Sequence, residues 1–133
     1  MPRQHLDDFI SWRAARALAA AVHRSTSDAA FERDPELRAE LRAAATAILT
    51  TIAQGCEQKT CGEFERCLAT ALGATARLES LIFLAQDMRL LTRDASERMR
   101  TRVTETSLLI DTLRQAILRY QQLQAWPAPE RVN

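Results

Sequence analysis

Glycine and proline are scarce in this 133-residue chain: three glycines (Gly55, Gly62, Gly73) and four prolines (Pro2, Pro35, Pro127, Pro129) punctuate its whole length. That excludes collagen-like and low-complexity chains and leaves long stretches with nothing to interrupt a helix. Cysteine is odd in number, and Cys56, Cys61 and Cys67 lack C-x-x-C spacing. Neither a disulfide framework nor a zinc site is indicated, and reduced thiols are expected. Histidine occurs only as His5 and His23, neither of them in the Glu-x-x-His motif that carboxylate di-iron bundles need, so no metal or haem is expected. Lys59 is the one lysine among 18 basic residues. No run approaches the roughly 18 apolar residues of a membrane span, and the stretch from Met1 to Asp8 lacks the apolar segment of a signal peptide. A cytoplasmic location without a membrane partner is the expectation. The net charge of +1 excludes the strong global field of a polybasic binder while leaving local patches open.

What is abundant is alanine, leucine and arginine, with 47% hydrophobic and 26% charged residues. Those values are ordinary for a globular domain and favour helix. Three-and-four spacing predicts a first helix over about 7–27, with Leu6, Phe9, Ile10, Ala14, Ala17, Leu18 and Ala21 on one face and Trp12 off it. The polar stretch Ser25 to Ala30 reads as a connection. Asp34-Pro35-Glu36 is a strong helix start, combining a capping carboxylate, proline in the first turn and an acid at the positive dipole end. The second helix, about 35–54, carries Leu37, Leu41, Ala44, Ala45, Ile48 and Ile52, with Gly55 placed to end it as a left-handed cap. Thr60-Cys61-Gly62-Glu63 has capping-box form and opens a third helix over about 61–91. Its stripe is Phe64, Cys67, Leu68, Ala71, Thr75, Leu78, Ile82 and Ala85. Gly73 inside it suggests a neighbour approaching the backbone closely. The fourth helix, about 94–124, repeats Met99, Val103, Thr106, Ile110, Leu113, Ile117 and Tyr120 as a heptad seam before the Trp126-Pro127-Ala128-Pro129 stop. The expected fold is all-α: one antiparallel up-and-down four-helix bundle spanning residues 1–133.

The third helix has more apolar surface than one core can use. Leu81, Leu84, Met88 and Leu91 form a second line well away from the main stripe, and Leu108 and Leu118 sit off the seam of the fourth helix. This line is a candidate oligomer interface, with burial by the bundle's own ends and a foreign partner as alternatives.

The order and spacing of Ile52-Ala53-Gln54-Gly55, Glu63-Phe64-Glu65-Arg66-Cys67-Leu68, Ala71-Leu72-Gly73, Leu78-Glu79 and Leu84-Ala85, with Phe9, Trp12, Ala14 and Arg33-Asp34 to Leu37 upstream, resemble one bacterial family. It is the four-helix-bundle family first known from open reading frames in intervening sequences of large-subunit ribosomal RNA genes, and the likeness covers about residues 6–120. The chain departs from the family pattern at Thr51, Gln54 and Gln58, where charged or amide residues of the polar cluster are replaced, at Ala74, and at Arg77. What the resemblance implies is a cytosolic bundle that forms a homopentamer and has no established enzymatic activity. Related proteins are accessory factors of diversity-generating retroelements, where a pentamer binds a reverse transcriptase and nucleic acid.

No phosphate loop, G-x-S-x-G or H-E-x-x-H occurs. Cys61 beside a helix start is the one opening for nucleophilic chemistry, without a histidine near it in sequence to act as base. Neither a catalytic residue nor a cofactor is therefore expected. Glu63, Glu79, Gln54 and Gln58 read either as a polar site or as caps and bundle-end hydrogen bonds. Arg89, Arg93, Arg98, Arg100 and Arg102, against Asp94 and Glu97, are candidate phosphate contacts or a solvated surface, with Arg100 pointing away from Arg98 and Arg102. The expected role is a non-enzymatic self-assembling scaffold, and the alternative is an accessory factor for RNA or DNA.

Overall fold

In the structure, a computed structural model that describes Leu6 and residues 9–125, four helices follow one another: α1 Ile10–Ser25, α2 Pro35–Cys56, α3 Cys61–Asp87 and α4 Arg93–Ala125. No strand occurs among the described residues. Each helix packs against its two neighbours, α1 and α3 both touching α2 and α4. The fold is an all-α up-and-down four-helix bundle. At 1.5 Å per residue the 33 residues of α4 run about 50 Å and the 16 of α1 about 24 Å, so α1 flanks only part of α4. The expected helix start at Asp7 and the stop at 126–129 lie outside the described residues.

The helix starts follow their local chemistry. Asp34 accepts a 3.0 Å hydrogen bond from the Leu37 amide with Pro35 in the first turn, and Thr60 Oγ1 accepts one of 3.1 Å from the Glu63 amide. Helix α4 is capped by Thr92, whose hydroxyl accepts from the Ala95 amide at 3.1 Å. Each cap satisfies one of the amides a helix start leaves unpaired, worth about 1 kcal/mol. Helix α1 lacks such a cap; Phe9 precedes it with its ring edge-on to Phe64, centroids 6.0 Å apart. The connection after α1 contains a 3₁₀ turn, Ala29–Arg33, whose Phe31 is fully buried. Arg42 of α2 ties that connection down, donating to the buried Thr26 hydroxyl at 2.8 Å and to the His23 carbonyl and the Ser27 hydroxyl at 3.2 Å.

One core joins the helices. The expected stripe of α2 is buried throughout, and that of α3 is buried except for half-buried Cys67. On α4, Met99, Val103, Thr106, Ile110 and Ile117 are buried, Leu113 is half-buried and Tyr120 is exposed. Helix α1 is rotated from its expected face: Ser11, Ala15, Leu18, Ala19, Ala21 and Val22 point inward, while Ile10 and Ala17 are exposed. Alanine on nearly every side of α1 makes its apolar spacing fit more than one rotation. Among the described residues α3 alone is long and apolar enough to cross a membrane, yet its Phe64-to-Ala85 stripe is the core-facing side of a bundle helix held between α2 and α4.

The two internal glycines behave differently from expectation. Gly55 is no left-handed cap: no glycine has positive φ, and α2 runs on to Cys56. Gly55 is instead the buried crossing point of α2 and α3, where an added Cβ would stand 2.9 Å from Phe64 Cδ1 and 3.0 Å from Cys67 Cβ. Gly73, expected to admit a neighbour, has nothing within 4 Å of such a Cβ.

Candidate functional site

Three features of the surface carry the residues singled out by the sequence. The first is a shallow groove of about 350 Å³ where the end of α2 meets the start of α3, lined by Thr51, Gln54, Gln58, Glu63, Arg66, Cys67 and Thr70. The close α2–α3 crossing at Gly55 brings this family-motif cluster together, whereas Glu79 stands elsewhere on α3. Gln58 is turned back on its own helix, donating to the Gln54 carbonyl at 3.0 Å. Buried Ile52, Phe64, Leu68, Ala71 and Leu78 are core, so most of the motif specifies packing.

Thiol chemistry is disfavoured here. Burial pushes the Cys56 thiol up to about 11, with the Glu57 carboxylate and Cys67 adding to the effect. Burial also raises Cys67, with Arg66 opposing and Glu63 adding. Both sulfurs are therefore protonated at neutral pH, the unreactive form. Among the described residues no three His, Cys, Asp or Glu side chains come together as a metal site.

The second feature is the outer face of α3. Leu84 and Met88 are 45% and 53% exposed, and Leu81 beside them is half-buried. Leu91 does not belong to this face: α3 stops at Asp87, and the turn that follows carries Leu91 into the core, 8% exposed. The turn forms because Arg89 takes a left-handed conformation, φ 60°, which lets the Leu90 amide reach back to the Ala85 carbonyl at 2.9 Å. Phe83, missed in the sequence because it lies between the two stripes, is 45% exposed and covered on one side by the Arg100 guanidinium, 4.2 Å from its ring centroid. Leu108 is exposed on α4 and Leu118 half-buried.

The third feature is the arginines, which the structure divides. Arg89 sits in the turn, its carbonyl accepting from Arg33 at 3.1 Å. Arg93 pairs with Glu97 at 3.1 Å. Arg100 leaves on the α3 side, stacked on Phe83 and donating to Ser96 Oγ at 3.2 Å. Arg98 and Arg102 alone stay together, on the α1 side, where Arg24 joins them along one groove. Arg24 escaped a reading confined to one helix at a time; its place in the last turn of α1, beside the start of an antiparallel α4, is the only signal the sequence holds for it.

Comparison with known proteins agrees with this architecture. The family profile described as 23S rRNA-intervening sequence protein matches residues 7–112. A protein of unknown function from the S23 ribosomal protein family of Bacteroides thetaiotaomicron VPI-5482, whose crystal structure was solved at 1.70 Å, has a similar fold, with a TM-score of 0.72 and 15% identity. The match covers 78% of this chain and 97% of that one, and at this identity the likeness is one of fold. No curated protein matches the chain.

Proposed function

Since this chain belongs to the 23S rRNA-intervening sequence protein family, we propose that it works without catalysing a reaction, as a bundle that assembles with copies of itself into a scaffold or accessory complex. One observation carries the reading. Leu84 and Met88, with Phe83 and half-buried Leu81 alongside, leave large apolar side chains on the outer face of α3 after the core is complete. Each is about half exposed or less, so burying the remainder against a partner is favourable by about 1 kcal/mol apiece. Seating this face on a different surface of the next copy needs no second gene product, and a closed ring is how such head-to-tail contacts saturate. A pentamer in the cytoplasm is the assembly the family resemblance implies.

Light scattering on the purified chain, with circular dichroism alongside, tests the proposal. The unmutated protein is expected to be an oligomer, and Leu84→Glu or Met88→Glu to dissociate it while leaving it helical, because an unpaired carboxylate resists burial in a packed interface. A monomeric unmutated protein overturns it.

A further inference from the structure

The unabsorbed arginines converge on a groove between the end of α1 and the start of α4. Its wider section, about 460 Å³, is lined by Arg24, Ser25, Ser27, Asp28, Leu90, Leu91, Thr92 and Ala95. A narrower section of about 190 Å³, sharing Arg24, Ser25 and Ala95, continues along α4 to Arg98, Met99 and Arg102. We propose that this groove holds the phosphodiester backbone of a nucleic-acid strand, with Arg24, Arg98 and Arg102 as its phosphate contacts.

Charge and geometry argue for it together. Most arginines elsewhere are engaged: Arg42 on the α1 carboxyl end, Arg77 on Glu40, Arg93 on Glu97, Arg114 on Glu65. Arg24, Arg98 and Arg102 have no hydrogen bond or ion pair among the described residues, and all three are exposed. Fully hydrated guanidinium groups meet an anion without first breaking a protein contact. Asp94, Glu97 and Glu105, the carboxylates nearest on α4, line neither section; Asp28, which lines the wider one, accepts the Ala30 amide at 2.8 Å. The narrow section contains no acid.

Arg98 and Arg102 are one helical turn apart, about 6 Å along the axis, so two successive phosphates of an extended strand can be met from one helix and a third from Arg24. The hydroxyls of Ser25 and Thr92 add neutral donors of the kind that accompany phosphate contacts, Ser27 already donating to the His23 carbonyl at 2.8 Å. The groove has no aromatic wall on which a base could stack, so binding is to backbone and indifferent to sequence. A phosphodiester strand is favoured over an acidic peptide because Arg98 and Arg102 repeat at about the spacing of successive phosphates with no acid between them in the narrow section.

The groove lies between α1 and α4, away from the α3 face offered for self-assembly, so the two proposals fail separately. The probe is a fluorescent single-stranded oligouridylate, titrated with the full chain at several salt concentrations. Three phosphate contacts give a slope of log affinity against log salt near −2, so a fourfold rise in salt weakens binding about twenty-fold. The variant R24Q/R98Q/R102Q is expected to lose that slope, while R38Q/R66Q/R119Q, which removes the same charge away from the groove, is expected to keep it. Light scattering on both variants should match the unmutated protein. No binding at low salt, equal losses in the two variants, or equal competition by polyglutamate overturns the proposal.

Discussion

Gly55 and Phe64 meet where α2 crosses α3: an added Cβ on Gly55 would lie 2.9 Å from Cδ1 of the buried Phe64 ring. No real Cβ tolerates that separation, and Cys67 Cβ at 3.0 Å closes the other way out. Gly55→Ala therefore forces the hairpin apart. Overpacking of this kind costs about 1–3 kcal/mol, which exceeds the roughly 1 kcal/mol that alanine gains over glycine in a helix interior. At exposed Gly73 only the gain remains, so Gly73→Ala is expected to stabilise by up to about 1 kcal/mol. Urea midpoints that move in opposite directions check the pair; a stabilised Gly55→Ala contradicts the crossing geometry.

This pair also marks where the sequence was legible. The starts of α2 and α3, with Asp34, Pro35 and Thr60, and the whole inner face of α2 follow from local chemistry and periodicity. Gly55 did not, because Phe64 and Cys67 press on it from another helix and no local rule contains them. The rotation of α1 was lost for a different reason. A helix with alanine at positions 14, 15, 17, 19, 20 and 21 has several equally apolar faces, and only packing decides that Ser11 and Val22 go in while Ile10 stays out. For the candidate site, the wheel of α4 alone already sets Arg100 apart from Arg98 and Arg102. Their company with Arg24 is a contact between chain segments, which periodicity cannot reveal.

Arg89 holds a left-handed conformation that side chains with a Cβ adopt at a cost of about 1–2 kcal/mol and glycine adopts freely. Its contribution to the turn is main-chain: the carbonyl accepts from Arg33, and the turn brings the Leu90 amide to Ala85. Arg89→Gly keeps those bonds and is expected to stabilise the protein by about 1 kcal/mol, with Arg89→Ala giving no such gain. Denaturant unfolding of the two variants distinguishes relief of strain from loss of charge.

The raised thiol of Cys56 sets an alkaline limit. Its neutral form is favoured in the fold, so the stabilisation is complete below the ordinary thiol value of 9.0 and is lost as pH rises toward about 11. The melting temperature is expected to fall between about pH 9 and pH 11, and Cys56→Ala to lessen that fall, Cys67 retaining a share in the same direction. An unchanged fall in the variant would place the alkaline sensitivity in other groups.

Leu84 and Leu91 belong to one line on a helical wheel, and the turn at Arg89 sends them to opposite environments, one exposed and one 8% exposed. Truncating a buried leucine removes its contacts and leaves a cavity, so Leu91→Ala is expected to lower stability by about 2–4 kcal/mol at every protein concentration. Leu84, 45% exposed, gives up far less within the bundle on Leu84→Ala, and an isolated chain should feel about 1 kcal/mol or less. If the α3 face joins copies, the same variant acquires a cost that depends on concentration, because assembly stabilises the folded state by mass action. Thermal melts of both variants across a dilution series therefore separate core from interface. Leu91→Ala should shift the midpoint by a constant amount. Leu84→Ala should exceed that small deficit only where the unmutated protein is assembled, and a deficit as large as that of Leu91→Ala and independent of concentration would assign Leu84 to the core.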